Sequence, residues 1–537
     1  MPFDVQSIDW LAIGPVVAVA VAALVVLLAD LFLEGARKAV LPWLTLAGLG
    51  AALVLLLPLH ADDLDARGTF CSPSGCSYVV TDLTLVLQLV LLASAFVVVL
   101  LSMPMLSVPK TRPTEDGDEG EVPGGEYQFL LLSSVTGAVA LAGARDLLTL
   151  VIALETLSLP AFALVGLRRD GPGGEAALKF FLLSVAATAV MLFGVSLVYG
   201  STGSVHLARI ASDLEHLDPR LTTVAATGAV LTMVGFAFKV AAVPFHFWVP
   251  DTYRGAPIPV AAYLSVVSKT AGFAGLLLVA GIAFRPYAHI WGPALAVLAA
   301  VTMTAGNVAA LRQTDAVRLL AWSSIAQSGY VLVPFGTAAG HGEDLADTLP
   351  AAIAYLAVYA VMNLGAFAVV TLVARERGGL VSDHRALFRS RPVGAVAMAF
   401  FLLCLAGVPP GLAGLFAKVT VFQAVIDSGT GWLAVVMAVN VVIGLYYYLA
   451  WTAQLFAPAA PGLPSPSGGA AGSDGASDSG VHGVGGGGVG GGVAIGGGVR
   501  TPAPLVAALV LTGALLVLLS VAPQVVLHVL TVPGLLG

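Results

Sequence analysis

Gly235-Phe-Ala-Phe-Lys239-Val-Ala-Ala-Val-Pro244-Phe-His246-Phe-Trp-Val-Pro-Asp251 sets a lysine and then a proline inside an apolar stretch. Lysine is among the costliest side chains to place in hydrocarbon, and an ionisable group there marks a proton or ion path by default. Pro244, five residues on, removes a backbone donor and frees the carbonyl of Val240, so a helix through this stretch is interrupted beside its charge. An irregular piece of backbone is tolerated inside a membrane only where protein or a water-filled cavity covers it.

The whole chain agrees with a membrane setting. It is 58% hydrophobic and only 10% charged, with a mean hydropathy of +0.95. Many apolar runs of about 20 residues predict a polytopic, all-α membrane protein. The net charge of −7 says little, because acids gather in loops such as Glu115-Asp-Gly-Asp-Glu-Gly-Glu121. No basic patch with interleaved aromatics points to nucleic acid. No Lys or Arg precedes the first apolar run, which predicts a first span that stays and not a cleaved signal peptide. Of three cysteines, Cys71 and Cys76 share a polar loop and Cys404 lies in an apolar run. A disulfide between the first two depends on which side that loop faces. No cysteine or histidine spacing suggests zinc or an iron–sulfur cluster.

Fourteen spans are predicted: 11–33, 39–59, 80–106, 127–143, 146–167, 176–200, 221–247, 257–283, 289–311, 316–337, 348–374, 392–427, 431–456 and 502–530. The twelfth is too long for one straight crossing at about 1.5 Å per residue. It contains Gly407-Val-Pro409-Pro410-Gly411, which predicts two half-helices around an irregular joint. With the N-terminus outside, inside segments carry fifteen Lys and Arg and outside segments five, a bias that places both termini outside. Five regions follow: a three-helix segment at 1–106, a first repeat at 127–283, a second at 289–456, a Gly-rich flexible loop at 457–501, and a last helix at 502–537. The loop, with Gly485-Gly-Gly-Gly488, cannot bury a core. The last span has no internal charge and reads as a packing helix.

Four ionisable residues stand out deep within spans: Glu155, Lys239, Lys269 and Lys418. Glu155 is followed five residues later by Pro160, as Lys239 is by Pro244, so each charge sits beside a freed carbonyl, here that of Thr156, that can hold water. A proline kink and one structural ion pair would account for either site alone. Four unpaired charges at mid-membrane would cost about 10 kcal/mol or more, so they must be paired, hydrated or neutral. A lysine poised between burial and a nearby carboxylate can change charge near neutral pH, which an arginine cannot. Lys269 has hydroxyl neighbours in Ser265, Ser268 and Thr270. Phe238-Lys239-Val240 is weakly echoed by Ala417-Lys418-Val419, and repeated broken helices are the pattern of transporters with a site near the midplane. No acid in the span at 319–330 faces Lys418, so its expected partner is water or a neighbouring subunit. Lys179, about one turn inside its span, can also snorkel to the interface. His246 is as readily a structural hydrogen-bonder as a relay.

Phe238-Lys-Val-Ala-Ala-Val-Pro-Phe-His-Phe-Trp-Val-Pro-Asp251, with Gly255-Ala-Pro-Ile-Pro259 and Ser268-Lys269, resembles the antiporter-like subunits of proton-pumping NADH–quinone oxidoreductase, respiratory complex I, over roughly residues 80–455. Leu178-Lys-Phe-Phe-Leu182 and Pro409-Pro-Gly-Leu-Ala-Gly-Leu-Phe-Ala-Lys418 look most like the branch of that family called subunit N. The resemblance implies two inverted five-helix repeats, with discontinuous helices at 221–247 and 392–427. It implies Glu155 as the acidic partner, Lys239 as the pump lysine, Lys269 as the central relay, Lys418 as the releasing lysine and Lys179 as a modulator, with helix breaks at Pro160, Pro244, Pro409 and Pro410. It also implies no cofactor and no metal in this chain. NADH, FMN, iron–sulfur clusters and quinone would belong to partner subunits. The partners would be the other antiporter-like and small membrane-arm subunits in a bacterial cell membrane. The family's Tyr-Glu-Gly-Ala-Pro is here Tyr253-Arg254-Gly255-Ala256-Pro257, so no acid role transfers there, and the Gly-rich stretch also departs from the pattern.

A redox-driven translocase subunit without an electron-transfer site of its own is the function these residues favour. A subunit of a multisubunit Na⁺/H⁺ antiporter or of a membrane-bound hydrogenase is the nearest alternative. A structural scaffold or a solute carrier is a different class, separated by pumping after Lys239→Ala or by uptake through this chain alone.

Overall fold

The computed structural model describes residues 8–61, 66–106, 122–339, 345–458 and 501–524. The acidic stretch at 115–121, all but the ends of the Gly-rich stretch, and 525–530 of the last expected span lie outside the described residues.

The chain is helical almost throughout. In order come α1 (Trp10–Phe32), α2 (Leu41–Val54), α3 (Asp82–Leu106), α4 (Gly124–Gly143), α5 (Leu147–Gly166), α6 (Gly171–Thr202) and α7 (Pro219–Lys239). They are followed by α8 (Trp248–Gly255), α9 (Ile258–Ala283), α10 (Ala288–Ala310), α11 (Ala316–Gly336), α12 (Leu345–Ala374), α13 (Pro392–Ala406), α14 (Leu412–Asp427), α15 (Gly431–Phe456) and α16 (Ala503–Val521). Aspartates mark several starts. Asp9, Asp146, Asp170, Asp218 and Asp315 each accept a backbone N–H in the first turn of α1, α5, α6, α7 and α11. Those side chains satisfy donors that a helix start leaves orphaned, which is why acids gather at span ends.

Among the described residues, eleven helices are long and apolar enough to cross a membrane. The expected count of fourteen is not confirmed by that measure. The three differences are α4 and α11, which exist but are less apolar, and the twelfth span, which is split into α13 and α14. One element was not expected. Arg67–Ser72 (β1) and Gly75–Val80 (β2) form an antiparallel hairpin in the loop between α2 and α3. Cys71 and Cys76, paired across it, form a disulfide, the alternative that sequence left open.

The centre of the bundle is α9, packed against α3, α4, α7 and α12, and nearly every described side chain on α9, α11 and α12 is buried. α9 is not a plain α-helix. Leu264–Ser268 and Val279–Ala283 are π-helical, and Lys269 follows the first of them directly. Such turns are rare and concentrate at functional sites.

Both expected discontinuities are present. α7 stops at Lys239, and turns over 240–247 lead into α8. Pro244 lies in the irregular joint, in keeping with the expected interruption. The joint is capped. Val240 and Ala242 donate to the carbonyls of Phe236 and Ala237, and the Trp248 indole N–H donates to the carbonyl of Phe238 at 3.1 Å. α13 and α14 are separated by residues 407–411, which contain Pro409 and Pro410. Pro160, in contrast, breaks nothing, and α5 runs through it. Packing holds that helix together: Ser134 of α4 donates to the Leu157 carbonyl at 2.5 Å, one residue beyond the freed Thr156.

Candidate functional site

Lys239, Lys269 and Lys418 are 2%, 1% and 5% exposed, so none of them snorkels to an interface. Lys239 and Lys269 adjoin irregular backbone, whereas Lys418 lies within α14 and its amine reaches back to the broken joint, and each amine has a different environment.

Lys239 is the last residue of α7. The carbonyl end of a helix carries partial negative charge, which favours a cation there. Its Nζ lies 5.9 Å from the Phe180 ring centroid and has no hydrogen-bond partner among the described residues. Glu155, half-buried on α5, acts on Lys239 electrostatically but makes no ion pair with it within 4.0 Å. Its Oε1 accepts instead from Thr188 Oγ1 of α6 at 2.9 Å. The expected pair is thus a coupling across space.

Other buried polar atoms with no hydrogen-bond partner among the described residues lie on the elements around this joint. They are Thr252 Oγ1 and Tyr253 Oη of α8, His246 Nδ1 in the turn, Thr270 Oγ1 of α9 and Trp322 Nε1 of α11. Buried polar groups of this kind are normally satisfied by internal water. His246 lies with its ring 5.4 Å from that of Trp322 and has no acid contact among the described residues.

Lys269 is held tightly. Nζ donates to the Ser324 carbonyl at 2.8 Å and contacts Ser324 Oγ at 2.6 Å and Ser328 Oγ at 3.1 Å. A serine hydroxyl both donates and accepts, so this cradle can satisfy an ammonium or a neutral amine. The network continues. Ser324 Oγ is 2.7 Å from Tyr359 Oη, which donates to the Ser265 carbonyl at 3.2 Å, and Asn363 Nδ2 donates to Ser265 Oγ at 2.8 Å.

The neighbouring residue of α11, Ser323, begins a second network that runs to Lys418. Ser323 Oγ is 2.5 Å from Tyr448 Oη, which accepts from Gln327 Nε2 at 3.1 Å. Tyr355 Oη donates to Gln327 Oε1 at 2.5 Å. Gln327 Nε2 also approaches the Leu405 carbonyl at 3.4 Å, and that oxygen is one of two that hold Lys418. Lys418 Nζ donates to Leu405 O at 2.9 Å and to Ala406 O at 2.6 Å. These are the last carbonyls of α13, released because the helix ends there. Main-chain carbonyls of this chain hold the amine, and no acid among the described residues contacts it. Glycine is required at the joint: Gly407 has φ +78°, and a Cβ on Gly414 would lie 1.7 Å from the Cys404 carbonyl oxygen.

Lys179 takes the snorkelling alternative. It is about half exposed and pairs with Glu175 at 2.7 Å and Asp251 at 3.2 Å, on the rim of a cavity of about 520 Å³. Asp251 also faces Arg318 at 3.9 Å, and Arg254 faces Asp315 at 3.6 Å.

Sequence reasoning singled out the lysines but missed Tyr355, Tyr359, Asn363 and Tyr448. Three of them share one face of α12 at a spacing of four residues, a polar stripe inside an apolar span that was there to be read.

Comparison with known proteins gives a consistent answer. The family described as "NADH:quinone oxidoreductase/Mrp antiporter, TM" matches residues 144–444, which include all four intramembrane charges. NADH-quinone oxidoreductase subunit N 2 of Streptomyces griseus is 54% identical over 98% of this chain and 94% of that protein. A chain in respiratory complex I from Thermus thermophilus with bound aureothin superposes with a TM-score of 0.70 at 30% identity, covering 96% of this chain and 98% of that one. A chain of the Mrp complex from Dietzia gives a TM-score of 0.75 over 97% of this chain and 96% of that one, at 20% identity, a likeness of fold alone. The chain belongs to the family of NADH:quinone oxidoreductase and Mrp antiporter membrane subunits, and within it is similar to the subunit N proteins.

Proposed function

We propose that this chain is a proton-translocating membrane-arm subunit of a bacterial NADH–quinone oxidoreductase. It moves H⁺ through buried Lys and Glu relays while electron transfer from NADH to quinone takes place on other subunits. The observation that carries this reading is the pair of networks meeting at Ser323 and Ser324, which brings hydrogen-bonding groups from Lys269 to Lys418 through a buried core. Proton transfer needs groups that both donate and accept, which the hydroxyls of Ser323, Ser324, Tyr355, Tyr359 and Tyr448 provide, while the Leu405 carbonyl only accepts and the last step to Lys418 requires a water. Orphan polar atoms around the α7–α8 joint support a hydrated connection from Lys239 toward Lys269.

In this reading Glu155 biases Lys239, Lys239 loads Lys269, and Lys418 releases the proton. Lys179 acts from the rim. The two five-helix repeats, at 127–283 and 289–456, each contribute one broken helix, and the last helix braces the second. The partners are the other membrane-arm subunits, which together with the peripheral subunits hold FMN, iron–sulfur clusters and quinone. The protein sits in the cell membrane with both termini outside, consistent with its Lys and Arg bias.

The test is Lys239→Ala in the assembled complex, reconstituted in vesicles with NADH and quinone. Loss of pumping with assembly retained is expected. Unchanged pumping would leave a scaffold, and co-purification with antiporter subunits in place of quinone-reductase subunits would move the chain to the Mrp branch.

A further inference from the structure

α14 begins badly. Its N-cap is Gly411, which offers no side chain to the orphaned N–H groups of the first turn. Leu412 N–H folds back on the Pro410 carbonyl at 2.9 Å and Leu415 N–H reaches Gly411 O only at 3.4 Å. The N–H of Ala413 finds its acceptor on another helix: Ser520 Oγ, near the end of α16, at 3.2 Å. Ser520 donates its own proton to the Leu516 carbonyl at 2.8 Å, which leaves its lone pairs for Ala413. A back-bonded serine is ordinary in a membrane helix. Here the buried serine also caps a neighbouring half-helix.

The position of α14 decides what Lys418 touches. Lys418 is on α14, whereas both carbonyls that hold its amine belong to α13. Two contacts fix the first turn of α14: the close approach of Gly414 to Cys404, and the cap from Ser520. α16 itself packs on α3, α12, α13 and α14, so it links this joint to the central bundle.

We infer that Ser520 is a positioning residue for Lys418: by capping Ala413 from the last helix, it sets the register of α14 against the carbonyls of Leu405 and Ala406. α16 is then more than a packing helix. The inference rests on the proposed releasing role of Lys418.

The experiment uses the intact complex. S520A, S520T and K418A are compared for pumping across pH in NADH-energised vesicles and for amide hydrogen exchange of the 412–418 peptide. Loss of one cap is worth a factor of about five or more in local opening, so exchange in S520A is expected to quicken about fivefold. Its pumping is expected to fall and its pH profile to shift, while S520T, which keeps the hydroxyl, matches wild type. If S520A does not assemble, S520C, close in size and a poor acceptor, gives the same comparison. Wild-type exchange and an unmoved pH profile in S520A, or in S520C, overturn the inference. Full pumping in K418A overturns the underlying role of Lys418 and, with it, the functional half of the inference, whereas the exchange result still reports on the cap alone.

Discussion

Replacing Ser324 by alanine removes the hydroxyl that lies between Lys269 and Tyr359, at 2.6 Å and 2.7 Å. A hydrogen bond to a charged group contributes about 1.5–3 kcal/mol and a neutral one about 1 kcal/mol. The backbone carbonyl of Ser324 and the Ser328 hydroxyl still hold the amine, so the loss falls below that sum, at about 2 kcal/mol. If Lys269 must occupy this cradle for a proton to pass, that figure corresponds to roughly thirtyfold slower pumping. Electron transfer elsewhere in the complex is expected to slow less, so the ratio of protons moved to NADH oxidised falls. The assay is quenching of a pH-sensitive dye in vesicles holding the assembled complex, with NADH oxidation followed in parallel. S324T restores the hydroxyl and is expected to recover most of the rate. Less than a twofold change in S324A, with assembly intact, would refute the idea that this cradle lies on the proton path.

Gln327→Leu keeps size but removes both arms of the link between Tyr355, Tyr448 and the Leu405 carbonyl, and pumping is expected to drop at least tenfold (about 1.4 kcal/mol). Gly414→Ala sets a methyl group 1.7 Å from the Cys404 oxygen, so the joint must open. Destabilisation at or above the usual overpacking range of about 1–3 kcal/mol is expected, read as a lower melting temperature or failure to assemble. His384, in the connection between α12 and α13, is fully buried against Trp451, and burial pushes its pKa down to about 4. An unfolded histidine takes up its proton near pH 6.5, so this residue stabilises the fold above that pH. The contribution is lost as pH falls toward 4, by up to about 3 kcal/mol. Melting temperature against pH in wild type and H384Q checks this, and equal slopes would refute it.

The buried lysines and both broken helices were legible because hydrocarbon leaves no neutral explanation for a cation or a Pro-Pro pair at mid-span. The hydroxyl and phenol groups that connect them were harder to see. A tyrosine in an apolar run reads as packing until its oxygen is found against Gln327 or Ser324. Pro160 misled because a proline within a helix removes one hydrogen bond without ending the helix when neighbours hold both sides. The seat of Lys418 is built from main-chain oxygens of the preceding half-helix, which no residue code announces.

Those two oxygens make the seat of Lys418 chemically one-sided. It offers lone pairs and no hydrogen, so whatever enters must bring its own. An ammonium does so by nature. A carboxyl group exchanged into this seat could settle only as the acid, with its hydrogen turned toward Leu405 or Ala406, and would be repelled once ionised. The truncated end of α13 thus decides which protonation state of a carboxyl guest is welcome, without a single charged side chain of its own.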